Sequence, residues 1–154
     1  MSAVTPDDLV LTAAVDRAIR DHGEEAYPFE CCGALIGSKG HGTNVIEVLA
    51  LPNTTSEGPR RRFLVNPEDY QAAEAAAAAK GAELIGFYHS HPDHPARPSQ
   101  YDLDHAWPFF SYIIVSVERG TAGAVTAWRL ADDRSAFEEQ PLAVEPIEPA
   151  ACRC

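Results

Sequence analysis

The sequence predicts a single α/β domain, a mixed β-sheet flanked by helices. Three observations carry that prediction. The hydrophobic pattern switches back and forth between helical and strand periods along the chain. The 154 residues suffice for one domain with its own core and no disulfide staples. No internal repeat and no linker interrupts them.

The elements follow in order. In AAVDRAIRDHG, Val15, Ala18, Ile19 and His22 recur at helical spacing, and Gly23 is the expected stop. CCGALIGS is a short apolar run bounded by turn formers, hence a buried strand; TNVIEVLALPN alternates and ends at Pro-Asn; RRFLVNP reads as another strand. NPEDYQAAEAAAAAKG predicts a helix with Asn66 as N-cap, Pro67 in the first turn, acids at the positive end of the dipole and Lys80-Gly81 closing it. Its alanine run needs no low-complexity reading, because alanine is the best helix former. AELIGFYHSH is a strand, a short helix starts near Ser99, and FSYIIVSV, GAVTAWRL and SAFEEQPLAV predict three more strands. The domain is expected to span residues 1–145, with 146–154 as a disordered tail.

Charge narrows the partners. Against 12 Lys and Arg stand 23 Asp and Glu, a formal charge of -11, whereas nucleic-acid binders carry basic stripes; no nucleic-acid partner is expected. Arg60-Arg61-Arg62 reads as a solvated turn. The acidity fits either a salt-rich habitat or a basic partner. Cys31, Cys32, Cys152 and Cys154 do not form a secreted disulfide framework, and Cys152 and Cys154 read as thiols at a frayed end. MSAVTPDDLV has neither a basic n-region nor an apolar h-region, and no run approaches the roughly 18 apolar residues of a membrane span. The expectation is a cytoplasmic protein with no membrane partner; its oligomeric state stays open.

The chemistry concentrates in GFYHSHPDHPARPSQYD. Positions i and i+2 of a strand face one side, so His89 and His91 project together while Ser90 points away and Pro92 ends the strand. Neutral imidazole is a standard zinc ligand, and a catalytic zinc takes three protein ligands and leaves a fourth position open. Asp102, eleven positions beyond His91, is the nearest candidate for the third. A rival account exists: Ser99-x-x-Asp102 is also a capping-box sequence, and H-x-H alone means little. With ordinary residue usage, however, His, His and Asp at three fixed offsets occur by chance about once in 10⁵ starting positions.

HSHPDHPARPSQYD resembles the H-x-H-P-(x)-P-S-x-x-D signature of the JAMM (JAB/MPN+) metalloproteases, zinc-dependent peptidases that act on ubiquitin-like proteins. AYPFECCGALIG resembles the P-x-E-x-C-G segment of the family's small bacterial members. The resemblance covers nearly the whole chain and implies a JAB/MPN-type, cytidine-deaminase-like fold. It implies Zn²⁺ held by His89, His91 and Asp102, Glu30 as general acid/base, and Ser99 steadying the oxyanion. It further implies a partner: a ubiquitin-like or sulfur-carrier protein whose C-terminal Gly-Gly precedes the bond cut. The chain lacks room for the long inserted segments with which eukaryotic deubiquitinating members grip ubiquitin on both sides of that bond.

The residue types suit that chemistry independently. Zinc makes a water nucleophilic near neutral pH, a carboxylate must accept the water's proton and return it to the leaving amine, and a hydroxyl donor can meet the developing negative charge. Glu24 and Glu25 are alternative bases but end the first helix and should be solvated. His94 lies in the loop, within range of a substrate; His105 falls one turn after Tyr101 and should pack or be solvated. His22 sits on an apolar stripe, where a hydrogen-bonded core histidine is expected. Cys31 and Cys32 face opposite ways, but a cysteine nucleophile leaves H-x-H and Asp102 unexplained. A catalytically silent MPN-type scaffold would have lost ligands, and a zinc deaminase would carry H-x-E with P-C-x-x-C, which is absent.

Overall fold

A computed structural model describes residues 5–40, 42–52 and 67–145. The elements run β1 (Leu9–Leu11), α1 (Ala13–Ala26), β2 (Cys32–Gly40), β3 (Gly42–Leu51), α2 (Pro67–Ala79), β4 (Glu83–Pro92), α3 (Gln100–His105), β5 (Ser111–Glu118), β6 (Thr121–Leu130), β7 (Phe137–Gln140) and β8 (Leu142–Val144). RRFLVNP before Pro67, the Asn66 cap and the tail 146–154 lie outside the described residues.

The strands among the described residues form one eight-stranded sheet in the order β7-β6-β5-β4-β2-β3-β1-β8. The pairs β4–β5, β1–β3 and β1–β8 are parallel and the rest antiparallel, so the sheet is mixed as expected. SAFEEQPLAV is not one strand but two, on opposite edges. Proline has no N–H for a ladder, so the strand breaks at Pro141. Because that single residue joins the two edge strands, the sheet must curl until its edges meet. Leu9 N–H donates to the Pro141 carbonyl at 2.8 Å, and buried Gln140 donates to Asp7 O at 3.0 Å while accepting from Ser111 Oγ at 2.8 Å. The strand β1, which these contacts hold, is three residues long and shows no alternation by which the sequence could reveal it.

Helix α1 packs on one face of the sheet. Thr12 caps it, its hydroxyl accepting from Val15 N–H at 3.1 Å. Val15 and Ile19 join a core with Leu9, Leu35, Val45 and Val115. Burying a side chain such as Ile19 stabilises the fold by about 2–3 kcal/mol. Gly23 does not stop this helix, which continues to Ala26. A Cβ there would stand 2.9 Å from Val117 Cγ2, so glycine lets the helix lie close against β5. On the other face Ala73 and Ala77 are the buried residues of α2, and Cys32, Phe87 and Tyr112 pack with Ala73. Gly81, at φ 68, ends the connection to β4 in the left-handed region glycine favours. No helix among the described residues is long and apolar enough to cross a membrane.

Candidate metal centre

The centre forms where β4 leaves the sheet. His89 and His91 project from one face of the strand, 1% and 7% exposed, and Ser90 on the opposite face is buried too. Strand register brings Glu30 to them. Cys32 pairs with His89; one step further out, Ser90 N–H donates to the Cys31 carbonyl at 3.1 Å and Ser90 Oγ accepts from Cys31 N–H at 2.9 Å. The next residue out on each side is Glu30 and His91, and alternation puts both on the same face. Glu30 is 6% exposed, and its charge reaches His91 strongly enough to help raise that imidazole's pKa.

Asp102 arrives from α3. Ser99 caps this helix with both halves of a capping box: Asp102 N–H donates to Ser99 Oγ at 3.0 Å, and Ser99 N–H donates to Asp102 Oδ2 at 2.8 Å. The two accounts of Ser99-x-x-Asp102 are therefore compatible, because the same Oδ2 also faces the imidazoles. His89 Nε2 and His91 Nε2 lie 3.1 Å apart, and Asp102 Oδ2 lies 3.2 Å from the first and 3.3 Å from the second. A tetrahedral zinc with bonds of about 2.0–2.1 Å requires ligand atoms about 3.3 Å apart, so this triangle has the size of one tetrahedral face. Second contacts orient two of the ligands. His91 Nδ1 donates to the Pro95 carbonyl at 2.9 Å, which leaves Nε2 as the basic nitrogen, and the Ser99 amide steadies Asp102.

The electrostatics also favour a cation. Burial pushes the Asp102 carboxyl upward, but His89, His91 and the Ser99 amide outweigh it and hold the group well below the usual carboxylate range. Burial lowers His89, only partly opposed by Asp102. Burial lowers His91 as well, yet the bonds to Asp102 and Pro95 O and the charges of Asp102 and Glu30 prevail and raise it. A carboxylate held ionised beside two imidazole nitrogens is a donor set that attracts positive charge, a proton or a metal ion. His89, His91 and Asp102 could hold a metal ion.

A cavity of about 240 Å³ opens against His89 and Asp102. Phe87, Trp107, Tyr112, Ile114 and Phe137 give it apolar walls, and Arg134 lines it while donating to the Ala106 carbonyl at 3.2 Å. The sequence reading missed this pocket; the aromatic run WPFFSY directly after α3 was the available signal. The cap uses Ser99 Oγ as an acceptor, so its O–H donor is left for a ligand, and Ser99 is exposed.

The remaining candidates fall elsewhere. Glu24 and Glu25 are exposed, and Glu24 accepts from Ala122 N–H at 2.9 Å. His105 is exposed and stacks on Tyr101 with centroids 4.0 Å apart; His94 is exposed in the loop. His22 Nδ1 lies 2.6 Å from the hydroxyl of buried Tyr88, so the expected hydrogen bond is present, though His22 is half-buried rather than in the core. Cys31 and Cys32 are buried free thiols; burial pushes Cys31 up to about 11 and Cys32 to about 12. A thiol so hard to ionise is a poor nucleophile.

A mixed sheet flanked by helices in one domain is the architecture of a JAB/MPN domain. The chain belongs to that family: residues 12–131 match the prokaryotic homologs of the JAB domain. It is 33% identical over 147 residues to a desampylase of Haloferax volcanii, covering 92% of this chain and all of that one. It is 31% identical to a probable TtuB-protein conjugate cleaving protease of Thermus thermophilus, covering 64% of each chain. A protein of Salinibacter ruber, solved in solution, superposes with a TM-score of 0.69 at 42% identity, covering 90% of this chain and 95% of that one.

Proposed function

We propose that the protein is a zinc-dependent peptidase and isopeptidase that hydrolyses the bond after the C-terminal Gly-Gly of a ubiquitin-like or sulfur-carrier protein. The observation that carries this reading is the triangle of His89, His91 and Asp102 donor atoms, sized for zinc, with Glu30 brought beside His91 by strand register. Relatives that include a desampylase and a probable conjugate-cleaving protease support the substrate class. Buried, unpaired Cys31 and Cys32 suit the reducing cytoplasm, where we place it.

His89, His91 and Asp102 would hold Zn²⁺, which supplies Lewis acidity: it brings a water's pKa to about 7 and polarises a carbonyl. Glu30 accepts the proton of the attacking water. It then carries that proton to the departing amine, a task its burial beside His91 suits. The Ser99 hydroxyl donates to the oxyanion as the carbonyl carbon becomes tetrahedral, and its cap to Asp102 holds it in place. The apolar cavity beside His89 keeps water from the reacting bond and gives an extended tail a dry surface to lie on. Glycines at the cut let the main chain approach the buried donors closely.

The test is mass spectrometry of ubiquitin-like and sulfur-carrier proteins bearing a residue or a lysine conjugate after Gly-Gly, incubated with the enzyme. Cleavage immediately after the second glycine, stopped by a chelator and by Gly→Ala at either position, is the expected result. Cutting at unrelated peptide bonds with these tails untouched would overturn the substrate assignment while leaving a metallopeptidase.

A further inference from the structure

The segment between His91 and α3 is exposed at Asp93, His94 and Pro95, a setting in which loops ordinarily move. Here successive carbonyls are each taken by a side chain. Ser116 Oγ donates to His94 O at 2.6 Å, His91 Nδ1 to Pro95 O at 2.9 Å and Thr126 Oγ1 to Ala96 O at 2.6 Å. The middle bond orients His91; the outer two come from β5 and β6, which contribute no donor to the metal centre.

Two details show how the outer hydroxyls are aimed. The β5–β6 register shifts between Val115 and Val117, so Ser116 sits at an irregularity of the kind that redirects a side chain. Trp128 Nε1 donates to Thr126 Oγ1 at 2.8 Å; an indole N–H only donates, so the Thr126 oxygen accepts from it and directs its own proton to Ala96 O. The near end of the loop is fixed too, Asp93 N–H donating to Val117 O at 2.7 Å and Asp93 Oδ2 accepting from Tyr27 Oη at 2.6 Å.

We propose that Ser116 and Thr126 are positioning residues of the metal centre: by clamping the carbonyls on either side of Pro95 O, they fix the tautomer and direction of His91. The inference rests on the reading that His89, His91 and Asp102 hold zinc. Without the clamps Pro95 O is free to turn toward water, His91 Nδ1 loses its fixed acceptor, and its two tautomers and ring orientations compete. Zinc binding must then pay to restore one of them.

The experiment is zinc affinity of the full-length protein, measured by competition with a chromophoric chelator, for wild type, Ser116→Ala, Thr126→Val and the double variant. Loss of the group bonded directly to a ligand costs about 10–100-fold in metal affinity; these hydroxyls act one contact further out, so each single change should weaken zinc by a few-fold, up to about tenfold, and the double variant by more. Ser116→Thr and Thr126→Ser, which keep the hydroxyls, should restore near wild-type affinity. Long-range ¹H–¹⁵N spectra of the metal-free proteins, recorded at a pH high enough to leave His91 neutral, should show its proton on Nδ1 in wild type and shared between tautomers in the double variant. Unchanged affinity and tautomer with a lowered unfolding midpoint would overturn the inference, reducing both hydroxyls to general stability. Wild type that takes up no zinc through His89 and His91 would instead overturn the reading beneath it.

Discussion

Ser99 and Asp102 hold each other in both directions, amide to carboxylate at 2.8 Å and amide to hydroxyl at 3.0 Å. The carboxylate oxygen that accepts from Ser99 is the one facing both imidazoles. One local motif thus starts a six-residue helix and aims a charge into the site. The half of the box that steadies Asp102 uses the Ser99 main chain and survives a side-chain substitution.

Ser99→Ala therefore separates two roles. The lost cap should cost about 1 kcal/mol of stability, seen as a lower denaturant midpoint. Zinc should be retained, because Ser99 N–H still reaches Asp102 Oδ2. Turnover should fall by about 10²–10³, the usual cost of one oxyanion donor. A variant that loses stability but keeps its kcat would restrict Ser99 to capping.

Glu30→Gln tests the proton carrier. The amide keeps shape and burial but cannot shuttle a proton, so zinc content and substrate affinity should persist while hydrolysis drops by at least about 10². Zinc analysis and single-turnover kinetics on one preparation decide it; an active Gln variant removes Glu30 from the reaction.

Removing the donors tests the centre. The His89→Ala/His91→Ala double variant should lose its zinc by elemental analysis, and chelation should abolish activity that added zinc restores. The fold should survive, because both core clusters are built from residues outside the donor set. Unchanged zinc in the double variant would relocate the metal.

Alkylation addresses the cysteines. With pKa values near 11 and 12, Cys31 and Cys32 are almost wholly protonated at pH 8, and raising the pH toward those values would be needed to expose thiolate. Iodoacetamide at pH 8 should leave both unmodified in the native protein, by peptide mapping, with activity unchanged. Rapid labelling of either together with inactivation would reopen a thiol mechanism.

What the sequence determined by itself is local. The two-residue period puts His89 and His91 on one face, Ser99-x-x-Asp102 encodes its own cap, and the alanine-rich helix needs only its propensities, since each depends on residues a few positions apart. The motif resemblance named Glu30, Ser99 and Asp102 for the remaining roles, which stand as proposals. Only the tertiary structure decided where distant segments meet. Glu30 stands beside His91 through the pairing of β2 with β4, and Pro95 O meets His91 on a loop whose neighbouring carbonyls accept from hydroxyls on β5 and β6. Gly23 looked like a helix stop and SAFEEQPLAV like one strand because packing against Val117 and closure of the curled sheet at Pro141 leave no trace in local pattern. Periodicity reports which face of an element is buried; it says nothing of the segment that buries it, and the centre is made from such segments.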